Sequence, residues 1–239
     1  SPQDLLNLIQ ELMQEALDEY YDKYSKLRDQ YQESKFIARP RVLTYQDLLE
    51  ECQKKAGFKD FMEGVNQEAK LAFQKGLSYQ EITLSNVQKA LDFYDKKEAL
   101  AVLAVAPPYY PTMNSRRLQV QDLDIDRFIS FYQNYLANKG SNQLKVEEFF
   151  MGICDMSYCA LEKPLSDYQA LLNSMAVSKE IYPLDLEKIA SINVAAVNLG
   201  PWGKDLHQLT ERVYEEDMLD TIPAFFLYLL EHLDEVKRN

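Results

Sequence analysis

The sequence predicts a helix-rich protein of the α/β class, and three observations carry that prediction. Glycine is scarce, with 7 residues among 239, as is typical of a chain made largely of helices. Through the first 98 residues, apolar side chains recur at three- and four-residue steps, which is the spacing of one helix face. From residue 99 onward, helical patterns alternate with short apolar runs that have the composition of buried strands, an order typical of an α/β layer.

The first 98 residues are predicted to be helical. Tyrosines and leucines follow one face of the first helix, while Glu, Asp, Gln and Lys fill the rest, a pattern typical of a packing face. Thr44 is the expected N-cap of the second helix, and Ser78 with Glu81 forms a capping box for the fourth. The four expected helices cover residues 2 to about 34, 44–57, 59–75 and 78 to about 97.

Three apolar runs farther along the chain are predicted to be buried strands. They cover residues 99–106, 146–153 and 194–199, and the first of them, which is rich in alanine, could also be a helix. Pro107, Pro108 and Pro111 end the first run, because proline continues neither a strand nor a helix. Further helices are expected over residues 124–136, 168–175, 185–190 and about 216–237. We therefore expect a helical region at 1–110 and an α/β region at 111–239.

The charge balance excludes two classes of partner. With 26 basic and 38 acidic residues the formal net charge is −12, whereas nucleic acids and anionic membrane surfaces both select concentrated positive charge. No apolar stretch approaches the roughly 20 residues of a membrane-spanning helix. The three cysteines form no regular framework, which favours a reducing compartment, and we expect the cytoplasm.

The segment 193–214, NVAAVNLGPWGKDLHQLTERVY, concentrates ionisable groups. Its predicted strand ends at a glycine-bracketed loop, and ligands of α/β sheets collect at such strand ends. His207 lies in this loop and could bind a metal ion, with Asp205 or Glu211 fixing the imidazole tautomer. The alternative, a polar loop histidine without a role, stays open on the residues alone.

Other candidate residues each have an ordinary alternative. Asp155 and Ser157 follow the second predicted strand and could line a pocket, or could simply form a turn. Arg116 and Arg117 could bind a substrate carboxylate, although a solvated basic pair is the simpler interpretation. Trp202 could be either a pocket wall or a core anchor.

Four motifs, in order along the chain, resemble one enzyme family. They are PRVLTYQDL at 40–48, APPYYP at 106–111, GICDMSY at 152–158 and GPWGKDLHQLTERVY at 200–214, of which the last is the most specific. That last segment resembles the C-terminal metal-site segment of the di-zinc amidohydrolase superfamily, which includes aminoacylase, succinyl-diaminopimelate desuccinylase, acetylornithine deacetylase and tripeptidase T. The closer similarity is to its arginine-utilisation (RocB-type) branch.

The resemblance implies a zinc-dependent hydrolase that cleaves an amide bond in a small peptide or an acylated amino acid, within arginine utilisation. His207 matches the last zinc ligand of the family, and Glu211 and Asp205 would lie beside it. In the family, two zinc ions would lower the pKa of a bridging water and polarise the scissile carbonyl. The substrate pocket would include Gly200, Trp202, Gly203, Asp155 and Ser157.

The chain also departs from the family, because the motifs that carry the other metal ligands and the general-base Glu are absent from it. A catalytic zinc needs at least three protein ligands, so we name no catalytic residue and expect the isolated chain to be inactive. We expect a fragment or a truncated homologue: part of a lid region, then the C-terminal half of a zinc-peptidase-like α/β catalytic domain. Family members often pair through the lid, which allows a homodimer.

A second hypothesis, of a different class, is a non-catalytic acidic module for protein interaction. In that hypothesis the long first helix and its tyrosines bind a protein partner. The zinc content and amidase activity of a longer parent protein would distinguish this module from the hydrolase.

Overall fold

The structure is a computed structural model, and it describes residues 1–31, 38–96, 98–114, 116, 123–140, 144–148, 155–161 and 164–237, without the side chain of Asp155. The chain divides into two compact units. The first comprises Ser1–Tyr109 with Lys163–Asp185, and the second comprises Tyr110–Glu162 with Leu186–Asn239. The assignment of a lid region and a catalytic half stays a prediction.

The long helix predicted at the start of the chain is present as α1 (Pro2–Gln30). Ser1 caps it, because its hydroxyl accepts a hydrogen bond from the backbone N–H of Asp4 at 3.3 Å. Gln14 ties the helix to the chain that follows: its side chain donates to the Pro40 carbonyl at 3.0 Å and accepts from the Val42 N–H at 2.8 Å. One face of α1 is therefore fixed largely by hydrogen bonds, with little deep burial.

A two-stranded parallel sheet organises the first unit. In it, β1 (Arg41–Thr44) pairs with β2 (Leu100–Leu103), and Arg41 lies opposite Leu100. Parallel strands require a long crossover connection, which three helices provide here. These helices are α2 (Tyr45–Gln53), α3 (Phe58–Gln74) and α4 (Tyr79–Tyr94). The capping boxes predicted at Thr44 and Ser78 are both formed and begin α2 and α4.

The core of the first unit lies between α2 and α4, where Leu48 is fully buried. A later segment of the chain completes this unit with a 3₁₀ turn (Leu165–Tyr168) and α6 (Gln169–Asn173). The buried amide of Asn86 donates a hydrogen bond to the Ala176 carbonyl at 2.8 Å. This bond joins α4 to the later segment and satisfies a polar group that would be costly to bury unpaired.

The second unit packs around a cluster of aromatic rings. Asp124 caps α5 (Ile125–Asn138), whose inner face carries Phe128, Phe131, Tyr132 and Tyr135. Phe225 of α8 (Ile222–Glu231) is fully buried among these rings, and its centroid lies 4.3 Å from that of Tyr132. The remaining elements are a 3₁₀ turn (Asp155–Tyr158), α7 (Leu186–Ile192), β3 (Gly203–Lys204), β4 (Arg212–Val213), a π-helical turn (Asp217–Thr221) and α9 (Leu233–Val236).

The described residues therefore form a helix-rich fold with short strands, as the sequence predicts, but three of their four strands, β1, β3 and β4, lie outside the predicted runs. Residues 194–199 form no strand, and their side chains are partly or largely exposed. That prediction is wrong because apolar composition does not by itself produce a strand ladder; here the Val194 N–H donates to the carbonyl of Cys159, which follows a 3₁₀ turn, at 2.9 Å. Residues 144–148 are irregular, and 149–153 lie outside the described part of the chain. The run at 99–106 forms a strand only at β2.

The length and polarity of the helices bear on whether the chain can span a membrane. None of those in the described ranges is both long and apolar enough to cross a bilayer. The most apolar of them, α8, has ten residues, whereas a spanning helix needs about 20.

Candidate functional site

The most specific motif of the sequence, residues 200–214, folds as a β-hairpin. Its strands β3 and β4 are antiparallel, with Gly203 opposite Val213, and the Tyr214 N–H donates to the Trp202 carbonyl at 2.7 Å. Gly203 is required by packing, because a Cβ at this position would lie 2.9 Å from the Arg212 carbonyl oxygen. The glycine therefore permits the close approach of the two strands.

The loop of the hairpin holds His207 in an uncommon backbone conformation. Both Asp205 (φ 56°) and His207 (φ 60°) adopt left-handed φ values, which cost a side-chain-bearing residue roughly 1–2 kcal/mol. The Glu211 carboxylate accepts a hydrogen bond from the His207 backbone N–H at 3.1 Å. The Asp205 carbonyl accepts from the Gln208 N–H at 3.0 Å, and the Asp205 carboxylate pairs with Arg212 at 3.4 Å. These contacts fix the loop and leave the His207 side chain exposed.

Asp205 and Glu211 were expected to orient the imidazole of His207. The contacts found for them go elsewhere: Glu211 holds the His207 backbone, and Asp205 pairs with Arg212. Among the described residues, no group of three or more His, Cys, Asp or Glu side chains is arranged to hold a metal ion. The donors present therefore do not fit a complete catalytic zinc site, which needs at least three protein ligands.

Two other predicted pocket residues, Ser157 and Gly200, line a common cavity in the second unit. The cavity has a volume of about 530 Å³, a size typical of small-molecule sites. One wall is the face of α5 that carries Ile125, Phe128, Ile129 and Tyr132. The other walls come from residues 110–114, 116, 144–148, 156–157 and 196–200. Trp202, Gly203 and His207 do not line it.

Polar groups at the cavity are largely engaged with one another. The guanidinium of Arg116 pairs with Glu148 at 2.6 Å and with Asp126 at 2.7 Å, so two carboxylates compensate its charge. Buried Asn114 accepts a hydrogen bond from the Arg116 backbone N–H at 3.1 Å. Burial raises the pKa of the Tyr132 hydroxyl, and the nearby Asp217 carboxylate raises it further. The cavity thus presents apolar walls and a compensated polar rim.

The remaining predicted site residues belong neither to the contacts around His207 nor to the lining of the cavity. Trp202 is 62% exposed, so it is not a core anchor, and the Lys204 ammonium lies 5.4 Å from its ring centroid. Asp155 begins the 3₁₀ turn that contains Ser157, and its side chain lies outside the described part of the chain. Arg117 also lies outside the described residues.

The sequence reasoning missed the apolar walls of the cavity. The sequence predicts a helix over residues 124–136 but assigns it no part in a site, whereas Ile125, Phe128, Ile129 and Tyr132 on this helix line the cavity. Pro107, Pro108 and Pro111, which end the first apolar run, restrict the backbone just before and within residues 110–114, and they are the signal in the sequence for a rigid wall there. No local signal in the sequence placed the irregular segment 144–148 beside this helix.

Comparison with known proteins gives two relatives from Bacillus subtilis (strain 168). "Uncharacterized protein YqjN" is 27% identical over 192 residues, which cover 80% of this chain and 34% of the relative. "Protein RocB" is 24% identical over 135 residues, which cover 56% of this chain and 24% of the relative. The chain thus spans about a third or less of the length of these relatives. No family model and no solved structure matches.

The similarity to Protein RocB agrees with the RocB-type resemblance of the four sequence motifs. The similarities to the two relatives are distant, at 27% and 24% identity, and each covers only part of the relative.

Proposed function

We propose that this chain is part of a longer RocB-type hydrolase that cleaves an amide bond in a small peptide or an acylated amino acid. The similarity to Protein RocB is the single observation that carries the proposal. The motif at 200–214, which resembles the metal-site segment of the family, supports it. The matched relatives are about three and four times as long as the regions that they share with this chain, which supports a longer parent.

In this proposal His207 supplies one ligand to a zinc site of the parent, and the residues that complete the site come from the rest of that protein. The support from geometry is the hairpin, since its hydrogen bonds fix the backbone of an exposed imidazole before any ligand binds. Zinc would act there as a Lewis acid toward a carbonyl. We name no general base, and we expect the isolated chain to have no amidase activity.

The cavity of the second unit is the proposed substrate pocket. Its α5 wall is apolar and aromatic, which suits an acyl group or an apolar side chain. The hydroxyl of Ser157 and the backbone of Gly200 would contact the polar part of the substrate. Because two carboxylates already pair with Arg116, this guanidinium is not free to bind a substrate carboxylate without losing a partner.

Amide hydrolysis by the longer parent protein tests the proposal. We expect turnover of acylated amino acids or small peptides, a loss of at least about 100-fold in His207→Ala, and no turnover by the isolated chain. Leu209→Ala is the matched control, because Leu209 is fully exposed in the same loop and should leave turnover unchanged. A parent with no amidase activity, or an equally active His207→Ala parent, would overturn the assignment.

The interaction module is the second candidate function. It is favoured by one observation, the exposed apolar side chains along α1. In that case the parent would bind a protein partner and would show neither zinc nor amidase activity. A cytoplasmic location remains a prediction under both candidates, and a homodimer formed through the lid region remains a prediction under the hydrolase.

A further inference from the structure

One acidic side chain of the second unit, that of Asp217, is half-buried where its neighbours face solvent. Among residues 206–220, all of which the structure describes, Asp217 is the only residue that is not exposed. The adjacent apolar side chains of Met218 and Leu219 are 53% and 59% exposed. This order is the reverse of the usual one, in which apolar side chains are covered and carboxylates face water. A carboxylate in such a position needs polar partners, and these partners indicate what it does.

The backbone at Asp217 departs from a regular helix. In the π-helical turn (Asp217–Thr221), the Ile222 N–H donates to the Asp217 carbonyl, five residues earlier. The turn ends just before Pro223, which has no N–H and whose ring would collide with the Leu219 carbonyl in a regular α-helix. Such widened turns are rare and are frequently found at functional sites. Here the turn lies at the junction between the hairpin and α8.

The Asp217 carboxylate holds the base of the hairpin. It accepts a hydrogen bond from the Trp202 N–H at 3.2 Å. The Trp202 carbonyl accepts the bond from the Tyr214 N–H that joins the two strands, so both backbone groups of Trp202 are bonded. The chain then runs from Tyr214 into the π-helical turn, where the Met218 N–H donates to the Tyr214 carbonyl at 3.1 Å. The base of the hairpin is thus fixed to the start of the helix that follows it.

The same carboxylate lies near the wall of the cavity. Burial raises the pKa of the Tyr132 hydroxyl, and the charge of the nearby Asp217 raises it further; Tyr132 belongs to the α5 wall. A second wall, residues 196–200, continues through a single proline into Trp202, whose N–H Asp217 binds. Cavity, hairpin and π-helical turn all belong to the second unit. Asp217 therefore lies where the hairpin meets two walls of the cavity.

We propose that Asp217 is a positioning residue, which holds the hairpin that presents His207 at a fixed place beside the cavity. The inference rests on the proposed function, because it takes the cavity as the substrate pocket and His207 as a functional side chain. Asp217 does not line the cavity, so it acts through the Trp202 backbone. Glu211 fixes the loop within the hairpin, whereas Asp217 fixes the hairpin itself. A small displacement of a functional group from its substrate is costly in rate.

Hydrogen exchange on the chain tests the positioning without any substrate. Asp217→Ala should speed the exchange of the His207 and Tyr214 amides about 10-fold, because the hairpin loses a hydrogen bond to a charged group at its base. Asp217→Asn keeps an acceptor oxygen for the Trp202 N–H and should restore most of the protection. Unchanged exchange in Asp217→Ala, or equally fast exchange in Asp217→Ala and Asp217→Asn, would overturn the proposal.

Asp220→Ala is the matched control for the exchange measurement. Asp220 lies in the same π-helical turn, and its side chain is exposed. A carboxylate near the start of a helix is favoured there by the helix dipole, and the control removes that general effect together with the same charge. Asp220→Ala should leave the hairpin amides protected. Equal exchange in Asp220→Ala and Asp217→Ala would contradict a specific role for Asp217.

Kinetics of the longer parent protein, with a panel of N-acetylated amino acids, test the link to function. Asp217→Ala should lower kcat about 10-fold and change KM less than about 3-fold, since the α5 wall of the pocket stays in place. Asp217→Asn should recover most of the lost kcat. A raised KM with an unchanged kcat would overturn the proposal, because Asp217 would then only shape the pocket. A parent that hydrolyses none of the panel would count against the proposed function, whereas the exchange measurement separately decides whether Asp217 holds the hairpin.

Discussion

Glu211 contacts His207 through the backbone: its carboxylate accepts a hydrogen bond from the His207 N–H at 3.1 Å. The bond spans the tip of the hairpin and holds a histidine whose φ of 60° is unfavourable for a residue with a side chain. Glu211 therefore fixes where the imidazole is presented, without touching the ring in the contacts described. This relationship gives Glu211 a positioning role that differs from the one expected from the sequence.

Glu211→Ala should weaken zinc binding by the parent protein about 10-fold, because the loop that presents His207 loses its anchor. Glu211→Gln keeps an acceptor oxygen and should retain most of the affinity. Competition of each variant with a chromogenic zinc chelator measures the difference. Equal affinities for the Ala and Gln variants and the unsubstituted protein would show that the backbone bond has no part in metal binding.

Gly203→Ala should open the hairpin, since the added Cβ would lie 2.9 Å from the backbone oxygen of Arg212. We expect a loss of about 1–3 kcal/mol in the stability of the hairpin. Trp202 is the single tryptophan of the chain, so its fluorescence during urea titration reports on this region. Gly200→Ala is the control, because no atom beyond the adjacent residues lies within 4 Å of a Cβ at Gly200. Equal midpoints for both variants would contradict the packing described.

Phe225→Ala should destabilise the second unit by about 3–5 kcal/mol, because the ring is fully buried among the aromatic side chains of α5. The neighbouring Phe226 is 47% exposed, and Phe226→Ala should change the free energy of unfolding by less than about 1 kcal/mol. Thermal unfolding of the two variants provides the comparison. A similar loss in both would mean that α8 packs with a different face.

Acid sensitivity of the first unit should depend on the pair Tyr94 and Glu98. The Tyr94 hydroxyl donates a hydrogen bond to the Glu98 carboxylate at 2.5 Å, and this bond lowers the pKa of Glu98; Arg41 lowers it further. A carboxyl group whose pKa is lower in the folded state contributes stability above its unfolded pKa. That contribution is lost as the pH falls through the folded pKa.

Tyr94→Phe should therefore reduce stability at pH 7 and make the remaining stability less dependent on pH below about 4.5. Denaturant titrations between about pH 3 and pH 7 measure how the free energy of unfolding depends on pH in the Phe variant and in the unsubstituted chain. Parallel pH profiles would contradict a role for the hydrogen bond in the acid response.

Much of the helical structure is predictable because its signals are local. Thr44 and Ser78 each make hydrogen bonds within one turn of the chain, so sequence alone locates the starts of α2 and α4. The periodic pattern of α1 likewise specifies its length to within a few residues. These elements depend on contacts between residues three or four positions apart, so the sequence pattern alone predicts them.

The strands and the site depend on distant neighbours. Residues 194–199 have the composition of a strand, but in the described part of the chain they form no strand; the Val194 N–H donates to the Cys159 carbonyl at 2.9 Å instead. The pairing of Arg41 with Leu100 brings together positions far apart in the sequence, and no pattern in the neighbouring residues predicts it. The cavity likewise joins Ser157 and Gly200 from separate segments; sequence marked both residues, but not the α5 wall that lies beside them.

Zinc analysis of the purified parent protein tests the central claim most directly. If His207 is a zinc ligand of a RocB-type hydrolase, the unsubstituted parent should hold about two zinc ions per chain and His207→Ala about one. A parent without zinc, or a His207→Ala variant with an unchanged zinc content and affinity, would contradict the claim.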